Sequence, residues 1–283
     1  MKKTLKKVGC TALAVCSLAV GAFSFTACTT DRPEVEMQIS FNGATYTLYY
    51  ELYRKYAPNT VNHFLKLVEN GYYDGMCIHD YNSNGKLYTG AYTYDETSVA
   101  TSGLVYKPYF DTVKTYEDFP ASVWTDNTMS TPTYTLYGEF KNNDFSVEHG
   151  NFKTQEFGAL TMYYTAKPVD VARVEVKKVS TGTLANKDYR YNSATSRFTI
   201  TLAPTTDYNY CTFALLKNHD ALQSLKEAVE EYKANYDDVN SFFKTQVMKV
   251  DRDDPFVADE DLEETYSVPV LPIIIEEMKV NKY

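Results

Sequence analysis

Apolar and polar positions change their period along the chain. Residues 37–52, MQISFNGATYTLYYEL, predict two strands around an Asn42-Gly43 turn, because Thr45, Tyr46, Thr47, Tyr49 and Tyr50 favour a pleated surface. In residues 58–71, Val61, Phe64, Leu65 and Val68 recur at i, i+3, i+4 and i+7. That is a one-sided helix, with Pro58 in the first turn and Asn70-Gly71 at its end. A strand is expected at 76–79. Residues 91–136 show no clean period, and Pro108, Pro120 and Pro132 break them into short strands or helical turns. A second ordered block begins at Tyr137. Charged residues 175–178 and 190–191 read as hairpin-like surface, and residues 196–204 and 211–218 as core strands. Residues 220–232 predict a helix with Leu222, Leu225, Val229 and Tyr232 on one face and Asp220 as its cap. An acidic loop over 251–264 then leads to a final strand over 268–280.

Composition changes this picture at the N-terminus. Lys2, Lys3, Lys6 and Lys7 precede an apolar stretch over 8–25, then Thr26-Ala27-Cys28 and a polar tract. The apolar run is too short and too abruptly ended for a spanning helix, so it predicts a secretory signal. The segment resembles a bacterial lipoprotein signal, in which Cys28 is lipidated and becomes the new N-terminus; Phe25 stands where that motif usually has leucine. Ordinary secretion with cleavage nearby is the alternative. The expected order is therefore a signal over 1–27, a tether over 28–35 and one domain over 36–283. Extracytoplasmic placement on the cell membrane follows, with two acyl chains on one cysteine giving a stable anchor.

The whole chain carries 28 basic and 37 acidic residues, a formal net charge of -9. Removal of 1–27 leaves 24 against 37, or -13. Such acidity argues against nucleic acid as a partner. With 15 % aromatic residues, 26 of them tyrosines among the aromatics, the chain is not disordered as a whole. Cys77 and Cys211 remain after the signal and the lipid site. A bridge is open to them in an oxidising compartment, but their apolar, strand-like settings favour two buried thiols.

The block YELYRKYAPNTVNHFLKLVENGYYDGMCIHD resembles the N-terminal part of the cyclophilin-type peptidyl-prolyl isomerases. Its carrying residues are Glu51-Leu52-Tyr53, Ala57-Pro58-Asn59-Thr60-Val61, Asn62-His63-Phe64, Gly71-Tyr72-Tyr73-Asp74-Gly75 and Ile78-His79. Gly90, Tyr137-Gly138-Glu139-Phe140 with His149 after it, Gly158-Ala159-Leu160-Thr161-Met162 and Ser196-Arg197-Phe198-Thr199-Ile200 follow in the family's order. Phe213 with the helix after it and a closing Pro-Ile-Ile strand complete the set, over about half of the mature chain. The resemblance implies a mainly β fold, an eight-stranded antiparallel barrel capped by two helices, with insertions at about 91–136, 165–195 and 232–264.

It also implies a chemistry. Rotation about a prolyl peptide bond has a barrier of ~18–20 kcal/mol. In the family an arginine directs charge at the prolyl amide while an apolar groove grips the ring. That arginine follows His79, and here the position is Asp80, an acceptor when ionised. The groove positions implied are Leu87, Thr89, Tyr163, Tyr164, Arg197 and Thr199. Thr89 replaces a glutamine, Tyr163 and Tyr164 replace alanine and asparagine, and Thr199 replaces a ring-gripping phenylalanine. The sole Trp124 lies in an insertion. Arg197 and Thr199 are two apart on a strand and share a face. Arg197 is thus either a substitute cation or an arginine packed on tyrosines and paired with a carboxylate.

No other chemistry competes. His63, His79, His149 and His219 lack metal-ligand spacing, and Asp251-Arg252-Asp253-Asp254-Pro255 lacks the glycine and spaced oxygens of a calcium loop. Neither a phosphate loop nor a nucleophile elbow occurs, and no cofactor is expected. Three readings stay open. One is an anchored isomerase acting on exported or surface proteins with exposed proline segments. The others are a non-catalytic groove that binds such segments, and a ligand-binding lipoprotein whose insertions make the contact.

Overall fold

The computed structural model describes residues 30–141, 154–164, 172–178, 181–189, 193–236, 239–250 and 262–283. Cys28 and the expected signal, His149, Arg190, Tyr191 and the acidic run 251–255 lie outside the described residues. The first hairpin is where the sequence pattern puts it. β1 (Glu34–Phe41) and β2 (Ala44–Leu52) pair antiparallel, and the turn residues Asn42 and Gly43 have φ of 49° and 78°. Two successive positive φ values match the right-handed twist of the strands, and an Asn-Gly pair adopts them at little cost. Val35, Met37, Ile39 and Phe41 alternate inward from β1.

Helix α1 (Pro58–Glu69) has Pro58 at its first turn and buries Val61, Phe64, Leu65 and Val68. Its N-terminal amides are capped from far along the chain. The Glu139 carboxylate accepts from Asn59 N at 3.1 Å, Thr60 N at 2.8 Å and Thr60 Oγ1 at 2.7 Å. This gives the Tyr137–Phe140 block a physical role, since a carboxylate at a helix N-terminus satisfies unpaired donors. Phe64 carries the helix into the barrel, 4.8 Å from the Phe213 ring and 5.5 Å from Phe198.

The remaining strands are β3 (Met76–Cys77), β4 (Asp80–Tyr81), β5 (Lys86–Thr89), β6 (Tyr92–Tyr94), β7 (Leu104–Tyr106), β8 (Val123–Trp124), β9 (Leu136–Tyr137), β10 (Leu160–Tyr164), β11 (Ala172–Lys177), β12 (Leu184–Tyr189), β13 (Ser193–Thr201), β14 (Thr212–Leu216), β15 (Phe243–Val250), β16 (Leu262–Pro269) and β17 (Ile274–Lys282). Short α2 (Tyr109–Val113) lies between β7 and β8, and α3 (His219–Lys233) follows β14. Pairing runs β5-β13-β10-β14-β2-β1-β17-β3. The stretch holding β3 also holds β4, and β4 pairs with β5. Counting β3 and β4 as one bent stave, the sheet curls back on itself as an eight-stave antiparallel barrel. β6 and β7 extend it beyond β3, β9 pairs with β13, and β12-β11-β8 and β15-β16 form separate small sheets.

Three local expectations change. The closing strand is two strands, because Pro269 and Pro272 cannot donate to a ladder; β16 ends and β17 begins on either side of that break. Residues 262–264 belong to β16 rather than to an acidic loop. Asp220 does not cap α3: the cap is Asn218, whose side chain instead accepts from Tyr49 N at 2.8 Å and donates to Thr47 O at 2.7 Å, tying the helix to β2. Cys77 and Cys211 are buried free thiols. Tyr50, Tyr72, Tyr73 and Tyr92 are fully buried, which accounts for part of the tyrosine content; the Tyr73 hydroxyl donates to Ser196 O at 3.0 Å. No described helix is long and apolar enough to cross a membrane.

Candidate functional site

Strand register decides which residues meet on the outer face of β4, β5, β13 and β10. Asp80 stands opposite Tyr88, Tyr88 opposite Thr199, and Thr199 opposite Thr161. Arg197, two residues before Thr199, shares that face. Leu87 and Thr89 do not. Leu87 pairs with Ile200 and Thr89 with Phe198, on the inner face. Leu87 is buried in the main core, and Thr89 Oγ1 donates to Cys77 O at 2.9 Å. Strands have a period of two, so a one-residue difference in register exchanges the faces. The expected groove set therefore separates: Arg197, Thr199 and Tyr163 stay together, Tyr88 joins them, and Leu87 and Thr89 turn inward. Tyr164 ends β10. Gly90 holds this register. It has φ +92°, and a Cβ there would lie 2.4 Å from Ser196 O, so only glycine lets the end of β5 approach β13 just before Arg197.

The outer face is not open. β16 lies over it, with Glu264, Tyr266 and Val268 turned toward the barrel while Glu263, Thr265 and Ser267 face solvent. Arg197 Nη2 donates to Glu264 Oε2 at 2.5 Å and to the Tyr266 hydroxyl at 2.7 Å. Tyr266 in turn donates to Glu264 Oε2 at 2.7 Å, and Tyr163 to Glu264 Oε1 at 3.3 Å. The guanidinium sits 4.5 Å from the centre of the Tyr163 ring, and Tyr88 meets that ring edge-on at 5.4 Å. Asp80 Oδ1 accepts from Ser267 N at 2.9 Å. Asp80 therefore fastens the same strand that engages Arg197.

Burial works against the Arg197 charge, but Tyr266 and Glu264 outweigh it and hold its pKa above the usual arginine value. Glu264 is the counterpart: burial would raise its pKa, yet Arg197 wins and holds it below the ordinary glutamate value. Asp80 goes the other way. Burial raises its pKa, and the Ser267 amide offsets only part of that. His79, packed against Tyr266 and Tyr92 at 4.7 and 5.0 Å, is held well below its ordinary value by burial and then by Arg197. His63 is pushed down to about 3 by burial, and its Nε2 lies 3.0 Å from the Tyr109 hydroxyl. Both histidines are neutral packing residues at physiological pH. Among the described residues no cluster of His, Cys, Asp or Glu is set to hold a metal ion.

The model of the family "cyclophilin type peptidyl-prolyl cis-trans isomerase/CLD" matches residues 35–241. The chain belongs to this family. No curated protein matches the sequence. Two solved structures of a Cryptosporidium parvum cyclophilin-type peptidyl-prolyl cis-trans isomerase are similar to the chain. One was solved in the presence of the dipeptide Ala-Pro; it has 15 % identity, a TM-score of 0.43, and covers 88 % of this chain and 99 % of its own. The other has 16 % identity and a TM-score of 0.41, covering 89 % and 99 %. The match to the family model ends at residue 241, so β15, β16 and β17 lie beyond it. Glu264, Tyr266 and Ser267, which complete the site, come from that part. Sequence reasoning assigned Glu264 to a solvated loop. The signal it passed over is the strict alternation of residues 263–268, in which every second residue faces the barrel.

Proposed function

We propose that this cyclophilin-type protein is a lipid-anchored binding protein for extended, proline-containing segments of exported or surface proteins, and that it does not turn over the prolyl bond. One observation carries the reading. On the face where the family works, Asp80 stands at the arginine position with its carboxylate on Ser267 N, and the Arg197 guanidinium is committed to Glu264 and Tyr266. Catalysis needs a preorganised cation aimed at the prolyl amide. Here the position offers an acceptor, and the neighbouring cation is neutralised from within. Thr199 supports the non-catalytic part of the reading, since it leaves no second aromatic ring to hold the proline for turnover.

Membrane attachment through Cys28 and placement outside the cytoplasm belong to the proposal and rest on the signal-like sequence of residues 1–28. A titration of the chain from residue 29 with a proline peptide, followed by NMR, tests the binding part. Shifts gathered at Tyr88, Tyr163, Arg197 and Thr199 are expected. Shifts confined to β11, β12 and the 91–136 stretch would move the function to the insertions and overturn the groove reading.

A further inference from the structure

The residues that close the outer face also describe what it accepts. Segment 262–269 lies there as an extended strand, and only alternate side chains enter. Glu264 brings a carboxylate to Arg197, and Tyr266 brings a hydroxyl to both. Ser267 brings a main-chain N–H to Asp80. Two side-chain positions and one backbone donor are thus read at fixed spacing. This is how extended peptides are recognised elsewhere: the backbone fixes the strand and alternate side chains give the specificity. The Arg197–Glu264 pair is well out of water, with side-chain exposures of 10 % and 16 %. A guanidinium left there without a carboxylate is heavily penalised, so the site discriminates strongly for an acid.

We infer that the Arg197 face is a recognition site for an extended segment carrying a carboxylate two residues before an aromatic hydroxyl, and that β16 is its resident occupant. This rests on the reading of the face as a binding groove and names the class of segment that it takes. Tyr163 and Arg197 select the carboxylate, Asp80 selects a main-chain N–H three residues beyond it, and His79 and Tyr92 pack against the aromatic ring. Because β16 is tethered to the site by its own chain, its effective concentration is in the millimolar range or above, so a segment from another protein must be in excess to compete unless the resident contact is weakened. At the hairpin base, Phe243 stands opposite Pro269, and Val270 N donates to Phe242 O at 2.9 Å.

The test uses the full chain carrying Glu264→Gln, which keeps a hydrogen-bonding side chain and removes the resident charge. The probe is a fluorescent peptide of residues 262–269, LEETYSVP, read by fluorescence anisotropy. The peptide is expected to bind this variant at least about tenfold more tightly than it binds the unsubstituted chain, as loss of one charge-assisted contact in the occupant requires. Adding Arg197→Gln to the protein, or Glu264→Gln to the peptide, is expected to reverse that gain. Equal binding of the acidic and amide peptides, or binding indifferent to Arg197, overturns the inference. So does the absence of binding. If Glu264→Gln does not fold, the peptide is added in excess to the unsubstituted chain and hydrogen exchange at the Ser267 amide is followed. Faster exchange is expected, and unchanged exchange overturns the inference. A proline peptide that binds while the acidic peptide does not would refute this inference alone and leave the broader binding reading standing.

Discussion

Arg197 is buried to 9 % exposure and still keeps its charge, because one carboxylate, one hydroxyl and one ring face surround it. Truncating it leaves Glu264 as an uncompensated charge in a dry site. Arg197→Ala is expected to cost about 3–5 kcal/mol of unfolding free energy, against about 1 kcal/mol or less for an exposed pair such as Lys55–Asp31. Urea denaturation of Arg197→Ala and Lys55→Ala decides it, and a loss below about 1 kcal/mol for Arg197→Ala would show the pair to be solvated. The two carboxylates at this site, Glu264 on β16 and Asp80 on β4, respond to pH with opposite sign. The pKa of Glu264 is depressed, so its stabilisation is complete above the ordinary value of 4.5 and is lost as pH falls through the lowered pKa. Asp80 is raised above 3.8, so its contribution is present below that value and is lost as pH rises through the raised pKa. At neutral pH its charge is therefore a burden. Asp80→Asn keeps an oxygen for Ser267 N and removes the charge. It is expected to raise the Tm at pH 7 and to lose that advantage at pH 3, as thermal melts at the two pH values would show.

The hairpin of β15 and β16 is one of the elements added to the barrel, and the one that covers the site. None of the eight staves belongs to it. Phe243 and Pro269 are direct partners at its base, so an Asn-Gly turn joining them replaces residues 244–268 without straining the chain. This shortened protein is expected to keep the barrel's cooperative unfolding while losing several degrees of Tm, because Tyr266 and Val268 no longer cover Cys77, Ala91, Tyr92 and Leu104. Circular dichroism melts read both properties; loss of cooperative unfolding would mean that the hairpin is part of the barrel's own stability. The elements also show what a sequence reveals. β1, β2, α1, β13, β14 and α3 were legible because each repeats an apolar position with one clear period and ends at a turn residue. The site was legible only in part. Asp80 and Arg197 were found through the family's residue order, but the inward turn of Leu87 and Thr89 depends on a register that no single strand encodes. Glu264 was hidden because its partner lies 67 residues away on another sheet, and an acidic run with an aromatic neighbour reads locally as solvated loop.

The whole molecule combines an eight-stave barrel, a closed outer face and an N-terminal segment built like a lipoprotein signal. With a net charge of -13 after residue 27, the protein's own surface disfavours an anionic membrane, so the proposed attachment rests on a lipid at Cys28. Cys28→Ser is expected to abolish metabolic labelling with palmitate in a bacterial host and to move the protein to the soluble extracytoplasmic fraction. A labelled Cys28→Ser protein would contradict the anchor. The central claim concerns the barrel rather than its address: a family fold retained, with its cation replaced at Asp80 and the nearest substitute engaged by the protein's own strand. It is tested most directly by the rate of cis–trans interconversion of a proline peptide mixed with the chain from residue 29. The account predicts the uncatalysed relaxation, tens to hundreds of seconds at 25 °C, at every protein concentration. An acceleration that grows in proportion to the protein added would contradict it.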